Sequence, residues 1–215
     1  MKQELKFIFL AVIALIGSYA IYELTYEEQN IYTNDEITFS NEYSDANIMD
    51  NNNVIYTSYE EVFELLESDE SFILYLGSPE CPWCRKALPI FVEALNDYNG
   101  ESFYYMDIMS DRDTLVLTDG NIVTEKEGTD DYHLLVEYLY DLLPTYSGLE
   151  DDSIKRIYLP TFVFVSNGEI TIHQSTVDSD ESSQDALSEE QITELKNIFY
   201  DHFDIVFPNM CDEGC

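Results

Sequence analysis

Residues 72–89 read FILYLGSPECPWCRKALP, and this stretch decides the fold. It opens with an uninterrupted apolar run from Phe72 to Leu76, which is typical of a strand buried on both faces. A Ser-Pro pair ends the run, and the pattern that follows predicts a helix from about Pro82 to Tyr98. The two cysteines of the stretch, Cys81 and Cys84, therefore stand where a buried strand ends and a helix begins.

The position of Cys81 at the start of a helix favours a reactive thiolate. Unpaired backbone N–H groups and the positive end of the helix dipole stabilise negative charge there. Pro82 suits the first helical position, where its missing N–H is of no consequence. Cys84 lies one turn further along, from where it can attack a mixed disulfide held on Cys81. We therefore expect Cys81 to be the exposed nucleophile and Cys84 to be the buried resolving thiol.

The remaining patterns follow the order β-α-β-α-β-(α)-β-β-α, which predicts a mixed α/β sheet with helices on both faces. The predicted strands are residues 54–56, 72–76, 103–108, 161–165 and 170–173, the last two joined by an Asn-Gly turn at Asn167 and Gly168. The predicted helices begin after Ser58, Cys81, Thr129 and Ser188, and the third of them runs over Asp130–Leu143. Ser58 with Glu61, and Ser188 with Gln191, match the capping-box pattern.

A second motif, Leu159-Pro160, comes directly before the strand predicted at residue 161. Together with Cys81-Pro82-Trp83-Cys84 after a buried strand and with Pro89 inside the following helix, it resembles the thioredoxin superfamily. The resemblance covers about residues 54–205. Within the superfamily, the chain is most similar to membrane-anchored thioredoxin-like and bacteriocin-transport-accessory-like proteins of Gram-positive bacteria.

The resemblance implies a thioredoxin fold and a thiol–disulfide oxidoreductase that works through Cys81 and Cys84. It also implies that Pro89 bends the helix, that the Leu159–Pro160 peptide is cis and packs against the disulfide, and that the Leu159 backbone pairs with the substrate chain. Its partners would be proteins or peptides with thiols or disulfides and an electron-donor or electron-acceptor protein, with no cofactor and no metal. The direction of electron flow stays open. Trp83, between the cysteines, is expected to be an exposed aromatic that faces the substrate.

Three departures from the superfamily pattern stand out. Tyr75 occupies the position of a buried Asp that thioredoxins use as a proton acceptor for the resolving thiol. The chain between the cysteines and Pro160 contains an insertion at about residues 110–148, expected to be helical, which is either a lid over the substrate or a decorated edge. The Gly-Gly-x-Asp motif that binds glutathione in glutaredoxins is absent, because Ser166-Asn167-Gly168-Glu169 stands in its place.

The net charge of the chain argues against some classes of binding partner. The chain has 9 Lys and Arg against 44 Asp and Glu, a formal net charge of -35, which repels phosphate backbones and argues against nucleic-acid binding. Arg85 and Lys86, a basic pair beside Cys84, are expected to favour thiolate at the dithiol. The three histidines, His133, His173 and His202, show no spacing with cysteine that predicts a protease dyad, so we expect them to pack or to face solvent.

The N-terminal residues 1–24 are typical of an export element. Lys2 and Lys6 precede an apolar run that extends to Tyr22, and acidic residues follow, which predicts a single-pass membrane anchor with the domain on the extracytoplasmic side. The alternative is a signal peptide cleaved near Ala20 and a secreted domain. We favour the anchor because apolar residues continue past that site. Residues 25–53 are polar and acidic and are expected to be a spacer before a domain over 54–205.

The tail, residues 206–215, carries Cys211 and Cys215. This pair is either a second dithiol that exchanges with Cys81 and Cys84, or a terminal disulfide loop or two unpaired thiols; a zinc site of all four cysteines is a third alternative. For the whole chain, the rival to an oxidoreductase is a non-enzymatic thioredoxin-like accessory protein that binds exported peptides or a transporter, since fold does not fix function.

Overall fold

The computed structural model describes residues 39–46, 48, 54–98 and 102–208. The expected membrane anchor, the first part of the expected spacer, and Cys211 and Cys215 of the tail lie outside the described residues. Within the described part of the chain, none of the helices has both the length and the apolar character needed to cross a membrane.

The molecule has a mixed α/β architecture with a five-stranded sheet and a separate two-stranded sheet. Its strands are β1 (Val54–Tyr56), β2 (Phe72–Gly77), β3 (Phe103–Asp107), β4 (Thr114–Thr118), β5 (Asn121–Lys126), β6 (Thr161–Ser166) and β7 (Glu169–Gln174). The large sheet has the order β1-β3-β2-β6-β7, in which β1, β3 and β2 are parallel and β6 and β7 are antiparallel to their neighbours. The central strand β2 is the apolar run that begins at Phe72, and all six of its residues are buried.

Within the described residues from 54 onward, four α-helices flank the sheet: α1 (Tyr59–Leu66), α2 (Pro82–Asp97), α3 (Asp130–Tyr138) and α4 (Glu189–Val206). Both predicted capping boxes are present, at the first residues of α1 and α4. Helix α3 is shorter than the predicted Asp130–Leu143, because the chain tightens into a 3-10 turn over Tyr140–Leu142. Leu143 is extended because it precedes a proline, whose ring disfavours a helical conformation at the residue before it.

Helices α2 and α4 pack on one face of the sheet. Phe91 of α2 contacts Phe103, Phe162 and Phe199, with ring centroids 5.2, 4.7 and 5.3 Å apart. Side chains alternate along a strand, so Tyr104 lies on the opposite face, where it lines a cavity together with α1 residues. Both faces of the sheet are therefore covered. The packing of Phe91 fixes α2 against the sheet at a point beyond its first turn.

Part of the expected spacer packs in the core, so the folded unit includes residues before the expected boundary at residue 54. Residues 39–42 are helical and Ser44–Ala46 form a 3-10 turn. Phe39 and Tyr43 are buried and contact Tyr105, with ring centroids 4.9 and 6.0 Å from it. Two aromatic residues four positions apart share one side of a helical turn. Two aromatic residues are too few to form a recognisable helical period among the polar residues around them, so the sequence does not predict this helical turn.

The insertion is only partly helical, which corrects the expected helical insertion. Before α3 it contains the hairpin β4–β5, which turns at Asp119 and Gly120 with φ of 51° and 76°. Positive φ at both central residues is the conformation that an Asp-Gly pair favours in a tight hairpin. All six residues of β5 are exposed. Strand β5 therefore lacks the buried apolar residues by which a strand is usually predicted from sequence.

Candidate active site

Cys81 caps the first turn of α2. Its sulfur accepts hydrogen bonds from the backbone N–H groups of Cys84, at 3.3 Å, and of Trp83. Pro82 occupies the first helical turn and is exposed. Both Cys81 and Cys84 are free thiols. The N-terminus of α2 therefore directs its unpaired donors at one sulfur atom, as the sequence pattern predicts.

The pKa of the Cys81 thiol is lowered to about 7. The main cause is a hydrogen bond from the Cys84 thiol, which outweighs the opposing effect of burial. The two backbone N–H groups and the positive charge of Arg112 lower the pKa further. At neutral pH, Cys81 is thus about half thiolate, the form that attacks disulfides.

Cys84 has the opposite character. It has no exposed surface, and burial is the main cause that raises its pKa far above the ordinary value, followed by its interactions with Cys81. Two donors act against this rise: the backbone N–H of Ser78 and the Tyr75 hydroxyl. The two thiols therefore differ as a nucleophile and a protected resolving group should differ.

The Leu159–Pro160 segment lies directly against the nucleophile. Its peptide bond is cis, and the Cys81 thiol donates a hydrogen bond of 3.5 Å to the Leu159 carbonyl oxygen. The resemblance implies this juxtaposition, and the fold brings the two segments together although 78 positions separate Cys81 from Leu159.

The expectation that Cys81 is exposed is wrong. Only 5% of its surface is accessible, and the Leu159–Pro160 segment covers part of the sulfur. Trp83 also differs from the expected exposed aromatic, since it is half-buried against the core and stacks under the Lys86 ammonium, 5.1 Å from the ring centroid.

The basic neighbours that act on the dithiol are also different from those expected. Lys86 is turned towards Asp180, with its Nζ 2.7 Å from Oδ1, and towards the Ser182 carbonyl. Arg85 donates to the Pro79 carbonyl at 3.5 Å. The positive charge that lowers the pKa of Cys81 comes instead from Arg112, in the insertion. No local pattern connects these two positions, so sequence reasoning had no signal for Arg112.

Other groups do not build a competing site. His173 and His202 pack against Phe199 and Phe164, as expected for packing histidines, and burial lowers the pKa of both. Over the residues that the structure describes, no group of three or more His, Cys, Asp or Glu side chains gathers to hold a metal ion. Two cavities of about 320 and 380 Å³ lie beside α1 and inside the insertion, and neither is lined by a cysteine.

No protein-family model matches the chain, and no curated protein matches its sequence. The geometry around Cys81 is therefore the main indication of function.

Proposed function

We propose that the chain is a thiol–disulfide oxidoreductase with a thioredoxin fold, acting on proteins or peptides through Cys81 and Cys84. One observation carries the proposal: a sulfur of lowered pKa at a helix N-terminus lies 3.5 Å from the backbone of Leu159, next to Pro160. The strand order β1-β3-β2-β6-β7, with β6 antiparallel to the central strand, supports the fold and membership of the thioredoxin superfamily.

The chemistry proceeds in two exchanges. The Cys81 thiolate attacks one sulfur of a substrate disulfide, the substrate S–S bond breaks, and the first substrate thiolate leaves and takes up a proton. The Cys84 sulfur then attacks Cys81, forming the Cys81–Cys84 disulfide, and the second substrate sulfur leaves as a thiol. Two electrons pass from the dithiol to the substrate. The reverse sequence oxidises a substrate dithiol, and a partner protein restores the starting state in either direction.

The covering segment gives the substrate a place to bind. An extended peptide can pair with the Leu159 backbone and present its disulfide to Cys81 in the same step. Because only 5% of Cys81 is accessible, a compact folded surface cannot approach the sulfur closely. Flexible or unfolded polypeptides with an accessible disulfide are therefore the proposed substrates.

Reduction of insulin by dithiothreitol tests the activity. The full chain should accelerate the precipitation of insulin, and Cys81→Ser should return the rate to background because the attacking sulfur is gone. Cys211→Ser with Cys215→Ser serves as the matched control. It removes two thiols where Cys81→Ser removes one, and the rate should stay within about twofold, a change worth less than ~0.5 kcal/mol. A wild-type rate no higher than that of Cys81→Ser contradicts the proposed activity.

The near-complete burial of Cys81 favours one alternative, a non-enzymatic accessory domain that binds exported peptides or a transporter. Such a domain would bind an extended peptide equally well with and without Cys81, and would show only background insulin reduction.

For location, we propose that residues 1–24 anchor the domain on the extracytoplasmic side of the cell membrane, with secretion after cleavage near Ala20 as the alternative. Protease added to intact cells should digest the anchored domain and leave a short membrane-bound fragment, whereas a secreted domain appears in the medium.

A further inference from the structure

Two arginines near the dithiol have no acidic partner. Lys86 and Lys196 each form a salt bridge with an acidic residue. Arg112 and Arg156 form none within the described part of the chain, although the chain has 44 acidic residues. The Nε atom of each arginine is buried there without a hydrogen-bond partner. Buried donors are ordinarily satisfied, so this pair calls for an explanation.

A short series of contacts leads from the nucleophile to Arg156. The Cys81 sulfur lies 3.5 Å from the Leu159 carbonyl oxygen, and Leu159 directly follows Tyr158. The guanidinium carbon of Arg156 lies 5.8 Å from the centre of the Tyr158 ring and 4.2 Å from the centre of the Tyr146 ring. Arg156 is therefore held against two aromatic rings, on the segment with which an extended substrate would pair.

Arg112 reaches the same place from the insertion. Arg156 donates a hydrogen bond of 3.2 Å from Nη2 to the carbonyl oxygen of Asp113, the residue that follows Arg112. Arg112 donates to the Met109 sulfur, a weak acceptor, at 2.9 Å. A guanidinium has five N–H donors, so most of the donors of both arginines are left for another group. Both residues are half-buried, and part of each side chain can be reached from solvent.

The sheet brings the insertion and the dithiol to one edge. Strands β2 and β3 are parallel and end side by side, and the Ser78 hydroxyl donates to the Asp107 carboxylate at 3.0 Å. Ser78 precedes Cys81 by three positions, and Asp107 precedes Arg112 by five. The contribution of the Arg112 charge to the lowered pKa of Cys81 agrees with this placement.

Asp113 limits the positive charge of this region. Asp113 is 8% exposed, and its Oδ1 atom has no hydrogen-bond partner among the described residues. Its carboxylate forms a salt bridge with neither Arg112 nor Arg156, so it leaves their N–H donors free. Two positive charges thus stand against one negative charge, and Asp113 opposes an anion that binds to the arginines.

We propose that Arg112 and Arg156 bind an acidic side chain of the substrate peptide while the cysteine of that peptide reacts at Cys81. The inference rests on the proposed dithiol function and adds a substrate class to it, peptides with Asp or Glu near the reacting cysteine. A guanidinium can hold a carboxylate through two parallel hydrogen bonds. An extended peptide advances about 3.3 Å per residue, so a carboxylate about two to four residues from the cysteine spans the distance from Leu159 to Arg156.

Matched peptides with an activated disulfide test the inference. Each peptide has blocked ends and one cysteine, which is joined through a disulfide to 4-thiopyridine. One peptide has Asp at the second and third positions on both sides of the cysteine, and the other has Asn at the same positions. The remaining surface of the acidic chain repels the Asp peptide, so a preference for this peptide requires a local contact.

The reaction reports the attack by Cys81. The Cys81 thiolate attacks the peptide sulfur, the bond to thiopyridine breaks, and thiopyridone leaves with a proton, so that its absorbance gives the rate. The full chain carries Cys211→Ser and Cys215→Ser. Later attack by Cys84 releases the peptide thiol and no further thiopyridone, so the signal belongs to the first exchange alone.

The ratio of the two rate constants measures the preference. In the wild-type chain, the Asp peptide should react about threefold to tenfold faster than the Asn peptide at low ionic strength, and added salt should reduce the difference. Arg112→Gln and Arg156→Gln should each lower the ratio to about one or below, because the acidic chain then repels the Asp peptide. A change in the pKa of Cys81 slows both peptides equally and cancels in the ratio.

Three further variants separate binding from damage to the fold. Lys155→Gln removes the charge next to Arg156 in sequence, where the ammonium lies 5.7 Å from the centre of the Tyr140 ring, and should leave the ratio within about twofold. Asp113→Asn removes the opposing carboxylate and should raise the ratio by about twofold to fivefold. Arg156→Lys keeps the charge and should retain part of the preference.

The outcomes distinguish the inference from the function on which it rests. Thiopyridone release from both peptides no faster than in Cys81→Ser overturns the proposed oxidoreductase function. Rapid release with the same ratio in the wild-type chain, Arg112→Gln and Arg156→Gln overturns the inference and leaves the dithiol function intact.

Discussion

Arg112, in the segment inserted between β3 and β6, lies close enough to Cys81 to lower the pKa of its thiol. The influence is mutual, since both cysteines appear among the groups that favour the charged form of Arg112. The insertion thus brings a positive charge near Cys81 in a chain that has few positive charges.

Replacing this arginine should weaken the nucleophile. In Arg112→Gln the pKa of Cys81 rises, because the thiolate loses a nearby positive charge, and the alkylation of Cys81 at pH 6 should slow by about twofold to tenfold. The measurement is the rate of iodoacetamide labelling in chains that lack Cys211 and Cys215. Arg85→Gln, which removes a charge next to Cys84 in sequence, should leave the rate nearly unchanged. Equal slowing in both variants contradicts a specific role for Arg112.

The pH profile of alkylation should report the lowered pKa directly. Thiolate is the reactive form, so the rate should rise with pH, reach half its maximum near the Cys81 pKa of about 7, and level off above it. In Cys84→Ala the midpoint should move upward, because the thiol hydrogen bond that most lowers the pKa of Cys81 is lost. A wild-type midpoint near the ordinary value for a free cysteine would mean that the first turn of α2 does not stabilise the thiolate.

The ion pair between Lys86 and Asp180 should stabilise the fold without taking part in the exchange. Its side chains are 12% and 6% exposed, so Lys86→Met leaves a buried carboxylate without its counter-charge and with the Thr176 hydroxyl as a remaining donor. The substitution should lower the free energy of unfolding by about 1–3 kcal/mol. Urea unfolding measures this effect. Lys196→Met, which breaks the more exposed contact with Glu93, should cost less than about 1 kcal/mol. Equal losses in the free energy of unfolding would mean that the buried pair contributes no more to stability than the exposed pair.

Residues 39–46 should be indispensable to the domain. Phe39 has no exposed surface and packs on Tyr105 and Phe103, so Phe39→Ala should lower the free energy of unfolding by about 3–5 kcal/mol. Ile205→Ala, at a position that is 43% exposed on α4, is the control and should cost less than about 1 kcal/mol. Urea unfolding of the full chain gives both values. A small loss in the free energy of unfolding for Phe39→Ala would mean that this segment is a spacer and not part of the domain.

Local sequence patterns predicted the elements that local interactions determine. The apolar run of β2, the Pro82 start of α2, and the capping boxes at Ser58 and Ser188 each depend on residues within one or two turns, and each is present. Only the resemblance predicted that the Leu159–Pro160 segment lies near Cys81, because no local sequence pattern predicts a contact between these two segments.

The features that the sequence did not predict depend on contacts between distant parts of the chain. Arg112 reaches Cys81 across the insertion, and Tyr43 meets Tyr75 from a segment whose composition indicates a spacer. The small accessible area of Cys81 likewise depends on how closely Leu159 packs, which no periodicity records. Helix and strand patterns carry no information about which side chains meet across the sheet.

If Cys81 is the attacking sulfur of a dithiol exchange, a mixed disulfide on it can be trapped once the resolving thiol is removed. Cys84→Ser is incubated with a flexible peptide that contains one disulfide, and the adduct is located by mass spectrometry in a chain that lacks Cys211 and Cys215. We expect a stable, dithiothreitol-sensitive adduct on Cys81 in Cys84→Ser and none in Cys81→Ser. An adduct on Cys84 in Cys81→Ser at the same rate, or no adduct in either variant, would contradict it.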